Sequence, residues 1–458
     1  MNENTTLLET LRELLAERRH AAIRERLSEE QPHDIAELFP DLAVEERLIV
    51  YRLLGKETAA EVLVELGSEE RRALVAAFSD EELARVLDEL YSDDAVDLLD
   101  EMPANFVRRI LKNCTPEMRR SVNELLKYPE GSAGSMMTTE YVRLGAAMTV
   151  GEALDHIREV AIDKETVYTC YVTDGGRRLL GIVTARMLLV APLGKTVGEL
   201  MEENIVSVAT SDEREAVARL FDKYNFLALP VVDGDGRLVG IITVDDAIEV
   251  LSEEVEEDFA KMAAITVNTE RPYLRQSVFG IFLSRVPWLL FLMLGATFTG
   301  LIITSFESAL AASVILTSFI PMLMGTGGNS GSQASVTVIR GLSLGEVAPR
   351  HILAILWKEL RVSLLCGVAL AVVNFGKVLL IDGLLMNNDA VTLTVALVVS
   401  LALCMTVVAA KLIGGSLPIM AERLGLDPAV MASPFITTLV DAVSLIVYFT
   451  LAKAMLGI

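Results

Sequence analysis

The sequence has few of the residues that enzymes use to bind zinc or to attack a substrate. It holds only four histidines and four cysteines, and no two histidines stand four residues apart beside a glutamate, as in zinc hydrolases. No CxxC pair is present, so we expect neither a zinc site nor a disulfide. The glycine-rich run around residues 325–331 lacks the Lys-Ser or Lys-Thr ending of a phosphate-binding loop. An enzyme is therefore the least favoured class.

Acidic residues are scarce in the last part of the chain and abundant before it. Of the 63 acids and 40 bases, residues 272–458 hold only 8 and 10, which leaves 55 acids and 30 bases in residues 1–271. Such an acidic region repels nucleic acid and anionic lipid and concentrates divalent cations. We therefore expect divalent cations as partners and no nucleic acid, although simple solubility would also explain the charge sum. The first residues, rich in acids, do not form a secretory signal.

A 24-residue repeat runs through residues 1–130. Four similar stretches begin at Asp34, Thr58, Glu82 and Phe106, and they read DIAELFPDL, TAAEVLVEL, ELARVLDEL and FVRRILKNC. Their aligned apolar residues fall on one helical face. Because short stacked helices bury such faces only against their neighbours, this region is predicted to form an α-helical superhelix.

Residues 137–200 and 201–250 carry the same β-α-β-β-α pattern twice. Each copy has an amphipathic helix, an apolar strand, a turn (DGG or DGDG) and a strand ending GIVT or GIIT. The pattern, with its run VVDGDGRLVGIITVDD, resembles a tandem pair of α/β CBS domains. That resemblance implies a regulatory module that dimerises and binds ATP or another adenosine nucleotide. A pair that only dimerises is the alternative.

An acidic connecting helix is predicted over residues 248–272. Apolar residues recur at three- and four-residue spacing, which gives the helix one apolar stripe among many glutamates. The helix leads into the membrane region, and a solvated linker is the alternative interpretation.

Residues 273–458 are predicted to form an all-α membrane domain with five transmembrane helices. The apolar segments lie near residues 281–305, 310–338, 354–381, 390–418 and 430–456, and each is long enough to cross a bilayer, which needs about 20 residues. Basic residues precede the first span and follow the second and fourth, so the N-terminal domains are expected in the cytosol and the C-terminus outside the plasma membrane. Since an odd number of spans gives no inverted repeat, symmetry around a pore would come from a homodimer.

One carboxylate, Asp441, lies near the middle of the last apolar segment, with no Lys or Arg within ten residues on either side. A charge at that depth costs roughly 2.5–3.5 kcal/mol on insertion scales, so it is expected to face a water-filled path and to meet cations. The alternative is a protonated acid, or one hydrogen-bonded to the hydroxyls of Ser444, Thr437 or Thr438.

The second span contains the glycine-rich run MGTGGNSGS. So many glycines predict an interrupted helix, whose freed carbonyls at Gly325 and Gly328, with Asn329, would ligate a hydrated cation. Close packing of helices through small residues is the alternative.

Taken together, the repeat, the tandem copies, the acidic helix, RVPWLL and PMLMGTGGNSGSQAS resemble the MgtE family of magnesium channels over essentially the whole chain. The resemblance implies a homodimer whose second and fifth spans form a Mg²⁺-selective pore. The pore aspartate of the family matches Asp441, the asparagine of the glycine run matches Asn329, and the aspartate before the fifth span matches Asp427. The family's plug helix corresponds to residues 248–265.

The same resemblance points to acids that would sense Mg²⁺. Asp93 and Asp97 stand four apart on one helical face and are similar to the family's sensor acids, with Glu61 a weaker candidate. Further acids crowd the end of the second CBS copy and the connecting helix, and the regulatory candidates among them are Asp246, Glu249, Glu254, Glu257 and Asp258.

The predicted function is Mg²⁺ uptake through a channel that Mg²⁺ itself closes by bridging these acidic surfaces. A secondary transporter or exporter, in which Asp441 alternately binds Mg²⁺ and a driving ion, is the alternative. A membrane-anchored nucleotide sensor with a passive membrane domain is a third. The preference among Mg²⁺, Mn²⁺, Co²⁺ and Ca²⁺ stays open, because it depends on pore width and rigidity, which the sequence does not show.

Overall fold

The computed structural model describes residues 3–100, 102–266, 273–431 and 433–457. The chain divides into two compact units, Met1–Glu254 and Val255–Ile458.

Within the residues described, ten short α-helices make up the first half of the first unit. They are α1 (Glu3–Ala16), α2 (His20–Leu27), α3 (Pro32–Leu38), α4 (Val44–Leu53), α5 (Lys56–Glu65), α6 (Ser68–Ala77), α7 (Asp80–Leu87), α8 (Ser92–Asp100), α9 (Ala104–Leu111) and α10 (Pro116–Leu125). From α3 onward every second helix begins 24 residues after its counterpart, so each repeat is a pair of helices. The predicted superhelix of stacked helices is confirmed.

The repeat positions explain how the helical region holds together. Phe39, Leu63, Leu87 and Leu111 recur every 24 residues, and all four are buried in one continuous apolar core. Local signals set where individual helices start. Ser79, for example, accepts a hydrogen bond from the Glu82 amide at 3.1 Å while the Glu82 carboxylate accepts one from the Ser79 amide at 3.0 Å. Such reciprocal caps satisfy amides that the first turn leaves unpaired.

Among the described residues, the second half of the first unit holds two small sheets and their helices, the last of which continues into the second unit. The elements are β1 (Tyr141–Gly145), α11 (Val150–Val160), β2 (Thr166–Thr173), β3 (Leu179–Thr184), α12 (Ala185–Val190), β4 (Val208–Ala209), α13 (Arg214–Tyr224), β5 (Ala228–Val232), β6 (Leu238–Thr243) and α14 (Val244–Met262). In each sheet the first strand runs parallel to the second and the third runs antiparallel to it. The twice-repeated β-α-β-β-α pattern is confirmed.

The two sheets are joined through backbone hydrogen bonds. The Thr138 amide donates to the Ile241 carbonyl at 2.8 Å, so the segment that leads into β1 extends the edge of β6. The Leu238 amide donates to the Arg177 carbonyl at 2.9 Å, which joins the β2–β3 turn to the start of β6.

The second unit is helical. Its helices are α15 (Val278–Ser305), α16 (Glu307–Ala312), α17 (Ile320–Ser343), α18 (Ile352–Lys377), α19 (Leu393–Arg423) and α20 (Ser433–Leu456). Within the described residues four segments, those of α15, α18, α19 and α20, are long and apolar enough to cross a membrane. The fifth long helix, α17, has 24 residues, but its glycines, serines and threonines lower its mean hydropathy.

Three expectations about this unit need correction. The second span begins at Ile320 rather than near residue 310, because α16 and a 3-10 turn (Val314–Phe319) precede it. The glycine run does not interrupt the span, since α17 is one continuous helix. The connecting helix α14 starts before residue 248 and ends at Met262, whereas the predicted residues 267–272 lie outside the described residues.

Candidate cation sites

Glycines on α17 let this helix pack directly against α19 and α20. A Cβ atom added at Gly327 would lie 2.7 Å from Cγ2 of Thr406, and one added at Gly331 would lie 2.8 Å from Cγ2 of Ile436. A Cβ atom added at Gly414 of α19 would collide with the Gly331 carbonyl. Because non-bonded carbon atoms prefer separations of about 3.5–4.0 Å, these sites admit only glycine at the observed helix spacing. At these positions the packing interpretation of the glycine run holds.

The three candidate pore residues of α17 lie in different surroundings. Gly328 faces α20, where an added Cβ atom would lie 2.9 Å from Cγ2 of Thr437. Gly325 has no side-chain neighbour within 4 Å in the direction of a Cβ atom, and Asn329, one turn later, is exposed. The helix therefore presents one face to its own unit and leaves a second, more polar face uncovered.

Asp441 is the ninth residue of α20 and is half-buried. Within the described residues its carboxylate has no hydrogen bond and no ion pair. The nearby hydroxyls of Ser444, Thr437 and Thr438 donate to backbone carbonyls of their own helix, at 2.6, 2.9 and 3.1 Å. The alternative in which these hydroxyls satisfy the acid is therefore not what the structure shows.

Asp427, just before α20, is engaged by the connecting helix. Lys261 of α14 places its Nζ atom 2.6 Å from Asp427 Oδ2 and 2.6 Å from Glu257 Oε1. The other oxygen of Asp427 accepts a hydrogen bond from the Ala429 amide at 2.8 Å. Partial burial works against the charge of Lys261, but its bonds to Asp427 and Glu257 raise the pKa of Lys261 above its usual value. Two candidate metal ligands thus share one ammonium group.

In the first unit, predicted sensor acids meet at the start of α8. Asp93 is buried, and its Oδ1 atom accepts a hydrogen bond from the Asp94 amide at 3.0 Å. Burial and the charges of Asp246 and Asp94 raise the pKa of Asp93 well above its usual value. Asp97 lies one turn later. The loss of water on the side that faces the protein raises the pKa of Asp97, and the charge of Asp94 raises it further.

Asp246 and Glu249 of α14 belong to the same acidic cluster. Burial raises the pKa of Asp246 to about 6, although a hydrogen bond from Thr243 Oγ1 at 2.5 Å opposes the rise. Burial and the neighbouring charge of Glu253 raise the pKa of Glu249. The sequence therefore identified four members, Asp93, Asp97, Asp246 and Glu249, that the fold brings into electrostatic contact.

Two members of the cluster were missed. Burial and the charge of Asp246 raise the pKa of Asp94 to about 7 and that of Glu165 to about 8. Asp94 adjoins Asp93 in the chain and could have been chosen with it. Glu165 lies just before β2, about 70 residues away, and no spacing in the sequence connects it to α8.

The remaining regulatory candidates lie outside the acidic cluster or at its edge. Glu254 pairs with Arg214 of α13 at 3.3 Å. Asp258 is half-buried on α14. Glu61 is exposed on α5, where it acts electrostatically on Tyr91, next to the cluster.

The arrangement of these acidic side chains suits a hydrated metal ion better than one that they ligate directly. In the described part of the chain, no group of three or more His, Cys, Asp or Glu side chains is arranged to hold a metal ion. Mg²⁺ keeps several of its waters and commonly uses one or two carboxylates. Clustered acids whose charging is opposed by burial and by one another can therefore accept such an ion as a shared counter-charge.

Comparison with known proteins defines the class. The model of a divalent cation transporter family matches residues 320–451, that of the MgtE intracellular N domain matches residues 30–131, and CBS domains match residues 133–194 and 197–253. With its long apolar helices, the chain is thus a membrane protein of the divalent cation transporter class that also carries an MgtE intracellular N domain and a pair of CBS domains.

Full-length relatives identify the family. The chain is 40% identical to the magnesium transporter MgtE of Thermus thermophilus and 31% identical to that of Bacillus subtilis, with at least 98% of each chain covered. Its first unit is similar to the crystal structure of the cytosolic domain of the Mg²⁺ channel MgtE in complex with ATP (40% identity, TM-score 0.51, 53% of this chain and 99% of that one). It is also similar to the soluble part of a magnesium transporter (30% identity, TM-score 0.52, 55% and 99%). The chain belongs to the MgtE family.

Proposed function

We propose that this chain forms a Mg²⁺-selective channel for uptake of the ion and that cytosolic Mg²⁺ closes it. The observation that carries the proposal is Asp441, a half-buried acid of a membrane-length helix that has no hydrogen bond or ion pair within the described residues. An acid at that depth is stable only where water or a cation reaches it. Mg²⁺ is proposed as the ion because the relatives that match over nearly their whole length are named as magnesium transporters.

The uncovered face of α17 supports a pore between two copies of the chain. Gly325 and Asn329 lie on that face, and an exposed amide in hydrocarbon would leave its polar groups unsatisfied. A homodimer that brings two such faces together would keep them in water. Two Asp441 carboxylates and two Asn329 amides would then hold a hydrated Mg²⁺ through its waters.

Closure by Mg²⁺ is supported by the acidic cluster and by the connecting helix. The cluster holds acids whose pKa values are raised, so its charged form is unfavourable without a counter-ion. Mg²⁺ would stabilise the arrangement in which these acids lie close together, as any ligand stabilises the state that binds it better. In the second unit, Lys261 of α14 forms an ion pair with Asp427, so the end of the connecting helix lies next to the residues that precede α20.

The CBS pair is proposed to bind ATP or another adenosine nucleotide. The support is the 40% identical cytosolic domain that was crystallised with ATP. We further propose a plasma-membrane location with both N-terminal domains in the cytosol and the C-terminus outside, because the basic residues flank the corresponding ends of the spans.

The decisive experiment replaces Asp441 by Asn, which preserves shape and removes charge. We expect the variant to lose Mg²⁺-dependent growth of a transport-deficient host at unchanged abundance, whereas Asp389→Asn, in the exposed connection before α19, should support growth. Single-channel recording then separates mechanisms, because an alternating-access carrier passes no resolvable unitary current. Normal growth of the Asp441 variant would refute the pore assignment.

A further inference from the structure

A basic cavity lies between the helical region and the first sheet of the same unit. Its volume is about 290 Å³. Arg120 and Ser121 of α10 form one wall, Thr139, Tyr141 and Arg143 form the wall at β1, and Arg177 reaches in from the β2–β3 turn. Three arginines and three hydroxyl groups therefore line one space.

The charge of this cavity is opposite to that of the chain. The protein carries a formal net charge of -23, yet the cavity holds three guanidinium groups against the single carboxylate of Glu124. Within the described residues, none of these three side chains forms an ion pair or a side-chain hydrogen bond. Three like charges without partners repel one another, and the excess over Glu124 equals the charge of a dianion.

The walls are held in place by hydrogen bonds that do not use the guanidinium groups. Thr139 Oγ1 donates to Ser121 Oγ at 3.1 Å, which joins α10 to the segment before β1. The Tyr141 hydroxyl donates to the Leu238 carbonyl at 3.2 Å. Burial raises the pKa of Tyr141 and the charges of Arg177 and Arg143 oppose that rise, so both guanidinium groups act on this hydroxyl.

Arg177 is positioned by an unusual turn. Its φ angle is 66°, in the left-handed region that residues other than glycine rarely adopt. Asp174 Oδ1 accepts hydrogen bonds from the Gly176 amide at 2.7 Å and the Arg178 amide at 2.9 Å, which fixes the loop around Arg177. The two sheets also pair at this turn through the Arg177 carbonyl and the Leu238 amide, at 2.9 Å.

We propose that this cavity binds a small phosphorylated metabolite that carries at least two negative charges. Arginine forks bind phosphate oxygens in pairs. The Ser121 hydroxyl, which accepts the bond from Thr139, can donate its own proton to a further phosphate oxygen. The volume lies just below the range of about 300–1,000 Å³ that is usual for ligand pockets, which favours a compact ligand. Because α10 and β1 both supply groups, the bound anion would tie the helical region to the first sheet. This site is separate from the proposed Mg²⁺ function and does not depend on it.

The test uses the full-length protein in detergent and inorganic pyrophosphate as the probe. EDTA is present throughout, so that effects of pyrophosphate on free Mg²⁺ are absent. We expect a saturable rise in melting temperature and a saturable calorimetric signal. The triple variant R120Q/R143Q/R177Q should bind at least tenfold more weakly, because it loses the charge-assisted hydrogen bonds of three guanidinium groups.

Controls separate site binding from general charge effects. The triple variant R158Q/R219Q/R237Q removes three arginines outside the cavity and should bind as the wild type does. If the cavity triple fails to fold, the single change R143Q should still weaken binding several-fold. Equal affinity in the cavity variants and the wild type would overturn the proposal, as would an equal loss in the control triple. Equally tight binding of citrate would overturn the assignment to a phosphate ligand, and an equal effect of potassium chloride at matched ionic strength would overturn specific binding.

Discussion

Replacing Asp94 by Asn tests whether repulsion between acids opens the first unit when Mg²⁺ is absent. Asp94 lies in the first turn of α8, and the charges of Asp246, Asp245 and Glu249 of α14 all act on it. Asn has nearly the same shape and no charge. The change therefore removes one repelling charge from the cluster and leaves the packing as it was.

The magnitude follows from the shift at this one carboxyl. Burial and its neighbours raise the pKa of Asp94 from 3.8 to about 7, which corresponds to about 4 kcal/mol between its charged and protonated forms. Since the side chain is only half-buried, solvent screening reduces the net effect to about 2 kcal/mol. That energy changes an opening equilibrium about thirtyfold.

The effect must depend on pH with a definite sign. Because the folded pKa is raised, the packed arrangement binds more protons than the open one, and its stability falls as pH rises from about 4 through about 7. The packed arrangement of the Asn variant does not lose stability in this way as the pH rises. The difference in stability between the variant and the wild type should be greatest at pH 8 and should shrink as the pH is lowered toward 5.

Limited trypsin digestion of the full-length protein measures the opening. In Mg²⁺-free buffer at pH 8 the Asp94→Asn variant should be cleaved up to about thirtyfold more slowly than the wild type, since cleavage tracks the open population. It should also need less Mg²⁺ for half-maximal protection. Asp222→Asn, an exposed acid of α13, is the matched control and should behave as the wild type does. Equal cleavage of the Asp94 variant and the wild type would refute the repulsion argument.

Further predictions concern the second unit. Gly414→Ala should destabilise the helix bundle by roughly 1–3 kcal/mol, because the new methyl group meets the Gly331 carbonyl. The control Gly325→Ala should have the melting temperature of the wild type, because nothing lies near its new methyl group. Equal melting temperatures of the two variants in detergent would contradict this prediction. Lys261→Gln should raise Mg²⁺ flux at submillimolar Mg²⁺, because it frees Asp427 and Glu257 from their shared ammonium group. Inhibition at high Mg²⁺ should persist, and unchanged flux at low Mg²⁺ would show that this contact does not hold the closed state.

Much of the fold was predictable because its signals are local and periodic. The 24-residue repeat, the twice-repeated strand and helix pattern and the long apolar segments each depend on residues close in the chain. The glycine run shows the limit of that reasoning. Its composition indicated a broken helix, but α17 is continuous, because the glycines serve contacts with Thr406, Thr437 and Ile436 that come from distant segments.

The candidate sites divide along the same line. Asp441 was recognisable from the sequence, since an isolated acid in an apolar segment is costly wherever the segment folds. Glu165 was not, because its role depends on β2 bringing it near α8 and α14. The pairing of Asp427 with Lys261 and the gathering of Arg120, Arg143 and Arg177 around one cavity likewise required the fold.

The division into an acidic helical and α/β part and an apolar helical part follows from the amino-acid order alone, because hydrophobic periodicity and the placement of charges depend on short stretches of chain. Which charges lie close enough to act on one another depends on how the helices and strands pack. Electrostatic interactions depend on distance in space, and residues far apart in the chain become neighbours only when helices and strands pack.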